Sequence, residues 1–337
     1  MQGTAAGGLV VAMALTGCVA APTFHGPMPV RNQHPAQLTV QHMAPASAVV
    51  LPRHAVQLRT DVAYSSLFLL GTGSGRSWLM DGEYLRSSTR ARVGLGANFE
   101  LATELPFAHT SGGFLDGFVI DYHDVFGLPD QERDVNPKDD FGIEARRAGT
   151  TVWQVERDSF ELLDVPFQLT YAALPTGPDQ LGLALRSGFE LPTGDDERGY
   201  GSGEVEATFG AVLEWRPGPV ALYGHAQHSF AGTPGPARRS GLAFADVTSL
   251  GVAAELPLLS DLHAFAQFEW ETSTLRNFGL PVTDRDQIMF WVGGRYAPAK
   301  AWGVEVGFGE DLQGLASPDF TAWLGLVFDL GAAAAGP

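Results

Sequence analysis

The sequence predicts an all-β fold: a transmembrane antiparallel up-and-down β-barrel of about 12 strands, with 14 possible. Three observations predict it. In residues 320–330, apolar Phe320, Ala322, Leu324, Leu326, Phe328 and Leu330 alternate with Thr321, Trp323, Gly325, Val327 and Asp329. A run of about 11 residues lets one tilted strand cross a bilayer and is about twice the mean soluble strand. The same alternation recurs nearly to the N-terminus. The connections between the alternating runs are in turn short and long, as in barrels with tight periplasmic turns and longer external loops.

Composition agrees. The chain has 337 residues, 41 Gly, one Cys and a formal net charge of -17. After the N-terminus no run of about 18 uncharged apolar residues occurs, which excludes helical membrane spans. The acidic balance argues against nucleic acid and against adsorption to anionic membranes through a basic patch.

Residues 9–15 form a short apolar run of signal-peptide size. Leu15-Thr16-Gly17-Cys18 follows and resembles the lipobox of bacterial lipoproteins, which implies a signal peptide over 1–17 and an acylated Cys18. Cys18 is the only cysteine, so no intrachain disulfide competes for it. The alternative is an ordinary secretory signal with an incidental cysteine; residues 1–8 lack the usual basic charge. Residues 18–54 read as a periplasmic leader. Pro22, Pro27, Pro29, Pro35, Pro45 and Pro52 disfavour helix interiors and central strands there, although 37–43 has strand character.

The barrel is expected over 55–330, with a tail at 331–337. Alternation starts at Val56, Leu58, Val62 and Tyr64 against Gln57, Arg59 and Asp61. A turn falls at 71–75. Residues 77–95 have an untidy phase that suggests a bulge. Strands then follow near 99–105, 165–171, 181–191, 205–215, 220–229, 248–256, 262–271, 287–296, 302–309 and 320–330. With both ends periplasmic, an even number is self-consistent. The connections at 311–318, 272–286, 230–246 and 192–203 are long, and those at 297–301, 257–261, 216–218 and 174–180 are short.

Residues 108–160 form a long external insert. In residues 114–126, Leu115, Phe118, Val119, Tyr122, Val125 and Phe126 share a helical stripe, stopped by Gly127-Leu128-Pro129. Such a helix could constrict the barrel mouth or pack over the loops as scaffold.

The run Gly112-Gly113-Phe114-Leu115-Asp116-Gly117-Phe118, then His123, Phe126-Gly127-Leu128-Pro129 and Arg133, resembles an uncharacterised family of predicted bacterial outer-membrane β-barrels, a domain of unknown function. Arg31-Asn32-Gln33-His34-Pro35 resembles that family's N-terminal region. Leu191-Pro192-Thr193-Gly194 followed by Gly201-Ser202-Gly203 resembles a loop shared by several outer-membrane barrel families. The resemblance spans most of 30–330. It implies fold and location, and carries no activity.

Other motifs are weaker. Asp130, Glu132, Asp134 and Asn136 alternate as in a calcium loop, but Val135 stands where Gly is needed and Phe141 where Glu is needed. His225 and His228 would point to opposite faces of one strand, so they cannot form a metal pair alone. His228-Ser229 and His123-Asp124 invite a hydrolase reading, but no nucleophile elbow is present. The glycine runs near Gly71 and Gly199 lack the Lys of a phosphate loop and read as turns.

The clearest chemical feature is the polar phase of the strands. Glu190, Glu204, Glu206 and Glu214 fall on it, as do Glu255, Glu269, Glu271 and Glu305, with Arg186 and Arg295. A charge facing lipid costs up to about 2–4 kcal/mol, so these ten are expected to face the lumen. A wet, net-acidic lumen would make a porin-like passive channel or solute-binding barrel favouring cations. The alternative is a structural or assembly outer-membrane lipoprotein with a plugged lumen, and a lipid-modifying barrel enzyme is a third reading. The expected location is the outer membrane of a Gram-negative bacterium, reached through a cleaved signal. Expected partners are outer-membrane lipid, the barrel-assembly and lipoprotein-processing machinery and an unnamed small solute, with no cofactor, metal or nucleic acid.

Overall fold

The computed structural model describes residues 24–127, 133, 136–157, 160–299, 301–312 and 316–332. The signal peptide, Cys18, the last residues 333–337 and Asp130, Glu132, Asp134 and Val135 of the acidic run lie outside the described residues.

Among the described residues the first elements are a short helix α1 (Pro35–Leu38) and the strands β1 (Ala55–Gly73), β2 (Arg76–Gly96) and β3 (Phe99–Ser111). The insert holds α2 (Asp116–Phe126), the hairpin β4 (Gly142–Arg147) and β5 (Thr150–Val155), and β6 (Glu161–Leu162). Then come β7 (Val165–Leu174), β8 (Leu181–Leu191), β9 (Glu206–Trp215) and β10 (Ala221–Phe230). After α3 (Gly235–Arg239) follow β11 (Val247–Pro257) and β12 (Leu262–Glu271), and after α4 (Pro281–Asp284) β13 (Gln287–Ala299), β14 (Trp302–Asp311) and β15 (Phe320–Ala332).

Twelve of these strands, β1–β3 and β7–β15, close an antiparallel barrel. Closure is made by β1 on β15, from Gln57 opposite Asp329 to Ser66 opposite Phe320. Full closure leaves no unpaired edge, which a lipid environment requires. Short turns gather at one end and the loops at the other, here termed the turn end and the loop end. The β1–β2 connection is the exception: a tight turn at Ser74 and Gly75, placed far out because both strands overrun the barrel.

That overrun explains the untidy phase of the second strand, which is not a bulge at that point. β1 and β2 pair without a break from Val56 opposite Val93 to Gly73 opposite Arg76. Inside the barrel the inward face of β2 carries Arg86, Ser88, Arg90 and Arg92. Beyond the barrel the same face carries Trp78 and Met80, both fully buried under the loops. The strand keeps its period of two, but its apolar and polar faces exchange where its surroundings change. The one register shift on β2 lies at Gly94/Gly96, against β3.

Outward positions are apolar and exposed. Leu181, Leu185 and Phe189 of β8 are 47–53% exposed, whereas Arg186 and Glu190 on its other face are buried. Aromatic pairs ring the wall at both levels: Phe99 with Tyr171 and Tyr296 with Trp302 near the turn end, Phe167 with Phe189 and Phe308 with Phe320 near the loop end. On β15, Phe320 and Phe328 are about 26 Å apart along the strand, or about 20 Å across a membrane at 40° tilt, close to the apolar band of such barrels.

Helix α2 forms where its spacing predicted and ends on Gly127 in the left-handed conformation (φ 68°). It neither constricts the mouth nor roofs the loops. It packs against the outer wall: Phe118 meets Phe320, and Tyr122 meets Phe308. Glu83, on the outward face of β2, accepts a hydrogen bond from the Phe114 N–H at 2.7 Å. Arg133 ties the insert down through Asp116 at 2.6 Å and Asp319 at 2.7 Å. These buried ions decide the position of the helix, which its apolar stripe alone could not.

Candidate functional site

The lumen is occupied by the chain's own leader. Residues 24–33 climb from the turn end, α1 turns the chain under the loop end, and residues 40–54 descend to β1. None of residues 24–54 belongs to a strand. Its prolines lack N–H donors and cannot extend a sheet. Composition placed the leader outside the barrel; in the structure it runs inside the lumen. Several of its backbone donors go to wall side chains instead of a ladder.

On the rising arm, His25 and Gly26 donate their N–H groups to Glu255, each at 3.2 Å. The Met28 N–H donates to Gln267 Oε1 at 2.6 Å, and Gln267 Nε2 donates back to the Met28 carbonyl at 3.1 Å. Asn32 Nδ2 donates to Glu271 at 2.7 Å. At the apex the Thr274 N–H donates to Gln37 Oε1 at 2.7 Å, and Arg31 donates to the Gln37 and Val40 carbonyls, both at 3.0 Å. On the falling arm Gln41 N–H donates to Glu206, Met43 N–H to Gln227 at 3.1 Å, Ala48 N–H to Glu214 at 2.9 Å and Leu51 N–H to Glu100 at 2.9 Å. Wall glycines make the room. A Cβ on Gly293 would stand 2.6 Å from Met28 Sδ, and one on Gly188 would stand 2.3 Å from Gln41 Nε2.

Nine of the ten residues expected on the inward phase are buried, and their surroundings differ. Glu206, Glu214, Glu255 and Glu271 hold the leader. Glu269 faces His225 at 3.0 Å, and Glu190 sits opposite Glu206 across β8 and β9. Glu305 and Arg295 join a buried network in which Glu305 accepts from both Arg59 and Arg295, and Arg59 also binds Asp61 at 2.7 Å. Arg186 lines a cavity near the turn end. Glu204 is the exception: it precedes β9, its side chain is 44% exposed, and it pairs with Arg238 in the loops. It does not face the lumen as expected, because its strand begins two residues later.

The lumen is not uniformly acidic. Arg59 of β1 and Arg86, Arg90 and Arg92 of β2 face inward opposite the acidic strands β9–β12. Arg90 binds Glu104 at 2.6 Å, and Arg92 binds Glu100 at 2.8 Å. The even spacing of 86, 90 and 92 was the available signal, hidden by the exchange of faces on β2. His228 points away from His225, to Thr248 at 2.9 Å. Among the described residues no three His, Cys, Asp or Glu side chains form a group able to hold a metal.

Glu305 is fully buried between two guanidinium groups. Glu305→Ala leaves Arg295 with the Gly26 carbonyl at 3.2 Å and only a distant carboxylate, Glu255 at 4.0 Å. Breaking a buried pair from one side costs about 3–5 kcal/mol. The expected result is a clearly lower urea midpoint for the refolded barrel, read by tryptophan fluorescence.

At the loop end an apolar cap seals the mouth. Trp78 stacks on His34 of the leader (5.5 Å, 10°) and on Trp153 of β5 (5.9 Å, 9°). Ala36 and Leu38 of the apex join this cluster with Phe244, Leu275 and Phe278 from two loops.

The sequence matches a protein family described as a protein of unknown function (DUF3187) over residues 9–330. The chain belongs to this family. No curated protein matches it in sequence. Among solved structures, an outer-membrane channel from Pseudomonas putida F1 is similar with a TM-score of 0.52 at 13% identity, covering 86% of this chain and all of that one. The translocator domain of the autotransporter NalP from Neisseria meningitidis gives 0.42 at 9% identity, covering 81% of this chain and 88% of that one. The KdgM porin in complex with oligogalacturonate gives 0.41 at 11% identity, covering 81% and 98%. For this DUF3187 chain the first likeness is one of fold: a closed barrel of the outer-membrane channel type.

Proposed function

We propose that this protein is an outer-membrane channel held shut by its own leader. One observation carries the reading: the leader is attached to the wall by hydrogen bonds from its backbone to separate wall side chains, not by strand pairing. A thirteenth strand could leave only by unzipping a sheet. A hairpin held by separate carboxylates can move as a unit, and its two ends, near Phe24 and His54, both lie at the turn end. Withdrawal toward the periplasm threads nothing through the wall.

Acylation of Cys18 belongs to the same proposal. Six Cα–Cα steps join it to Phe24, a reach of up to about 20 Å. A lipid there would hold the hairpin's free end at the inner leaflet and limit its travel. This gives the anchor a purpose on a protein that already spans the membrane.

The apolar cap favours a second reading, a permanently closed barrel with a structural role. Planar-bilayer recording separates the two. Ala48 of the leader packs on Val212 of the wall. An Ala48→Cys/Val212→Cys disulfide is expected to leave the barrel silent when oxidised, with rare openings returning on reduction. Silence in both states, from protein that still shifts its electrophoretic mobility on boiling, sinks the channel reading.

A further inference from the structure

A cavity of about 100 Å³ lies near the turn end, between the two arms of the leader and the wall. It reaches Gln57, Asp329 and Trp302 at the rim, so solution on that side has access to it. Five arginines line it: Arg59, Arg90, Arg92, Arg186 and Arg295. Four are neutralised locally. Arg90 holds Glu104, Arg92 holds Glu100, Arg59 holds Asp61 and Glu305, and Arg295 shares Glu305.

Arg186 is not. Its side chain is 5% exposed, and among the described residues no carboxylate lies within ion-pair distance. Its Nη2 donates to the neutral Gln168 at 2.7 Å, and its buried Nε has no acceptor. Its neighbours across β7 and β9 are Thr170 and Gly210, which bring no charge. A buried guanidinium without an anion is strongly unfavourable. The fork of Arg186 needs a planar or tetrahedral oxyanion. A cavity of this size holds several waters, at about 10–15 Å³ each, and so admits a phosphate-sized ion with part of its shell.

We propose that this cavity is a binding site for a small oxyanion of the phosphate class, entering from the turn end and held by Arg186 with Arg92 beside it. The ion is the counter-charge that the fold omits. His25, Gly26, Pro45 and Ser47 of the leader form the opposite wall, so a bound anion also fastens the leader in place. That consequence rests on the leader acting as a gate, whereas the site itself does not.

The test is binding of inorganic phosphate to the purified full-length protein in detergent, by isothermal titration and by thermal unfolding, against sodium chloride of equal ionic strength. The expected result is saturable binding and a raised unfolding temperature, with at least tenfold weaker binding in Arg186→Gln. Arg186→Lys keeps the charge, loses the fork and is expected to fall between the two. Arg239→Gln, which removes an exposed loop charge, should bind as the parent does. Mobility shift on boiling confirms that each variant is folded. No phosphate effect beyond chloride in the parent, or equal binding in a folded Arg186→Gln, overturns the proposal. Neither outcome bears on whether the barrel conducts.

Discussion

Glu206→Ala/Glu214→Ala barrels will conduct often where the parent opens only rarely. The pair holds the falling arm: Glu206 accepts from the Gln41 N–H, and Glu214 accepts from the Ala48 N–H and the Ser47 hydroxyl. Alanine leaves those donors without acceptors, at about 1–3 kcal/mol each. A loss of about 3 kcal/mol from the closed state alone changes the closed-to-open ratio by about two orders of magnitude. Single-channel recording should show frequent openings, while Glu197→Ala in the exposed loops should open as rarely as the parent. A double variant that folds yet opens no more often than the parent means the leader is fixed packing and not a gate.

The second large effect concerns the cap. Trp78 is 1% exposed and lies between the leader's His34 and Trp153. Trp78→Ala should cost about 3–5 kcal/mol, because the transfer loss is joined by a cavity that two flat rings cannot close. The cap also covers the apex of the leader. Protease added to the loop-end side of proteoliposomes should therefore cut near residues 34–39 much faster in the variant. Unchanged protection would place the seal elsewhere in the cluster, with Phe244 and Phe278 the next to test.

Polar-phase glutamates usually suggest a wet, ion-selective lumen. Here four of them, Glu206, Glu214, Glu255 and Glu271, are acceptors for a segment of the same chain. A carboxylate can accept from two N–H groups at once, as Glu255 does from His25 and Gly26, so a few side chains hold a long irregular segment.

The sequence by itself determined the barrel. A period of two with an apolar outward phase, repeated with short and long connections in turn, has one solution when the outward phase meets lipid and no edge can remain open. It also determined helix α2, whose spacing and glycine stop are local properties. Only the tertiary structure decided where the leader and that helix lie. A backbone N–H is present in nearly every residue and leaves no trace in composition, so nothing in residues 24–54 names Glu255 or Gln267 as its acceptors, about 230 and 239 positions away. The helix likewise rests on the outer wall because Glu83 and Asp319, distant in sequence from it and from each other, meet its start and Arg133 there. The inward arginines of β2 were hidden for a related reason. Period is set by the backbone, but the polarity of each face is set by what it touches, and β2 touches lumen, lipid and cap in turn.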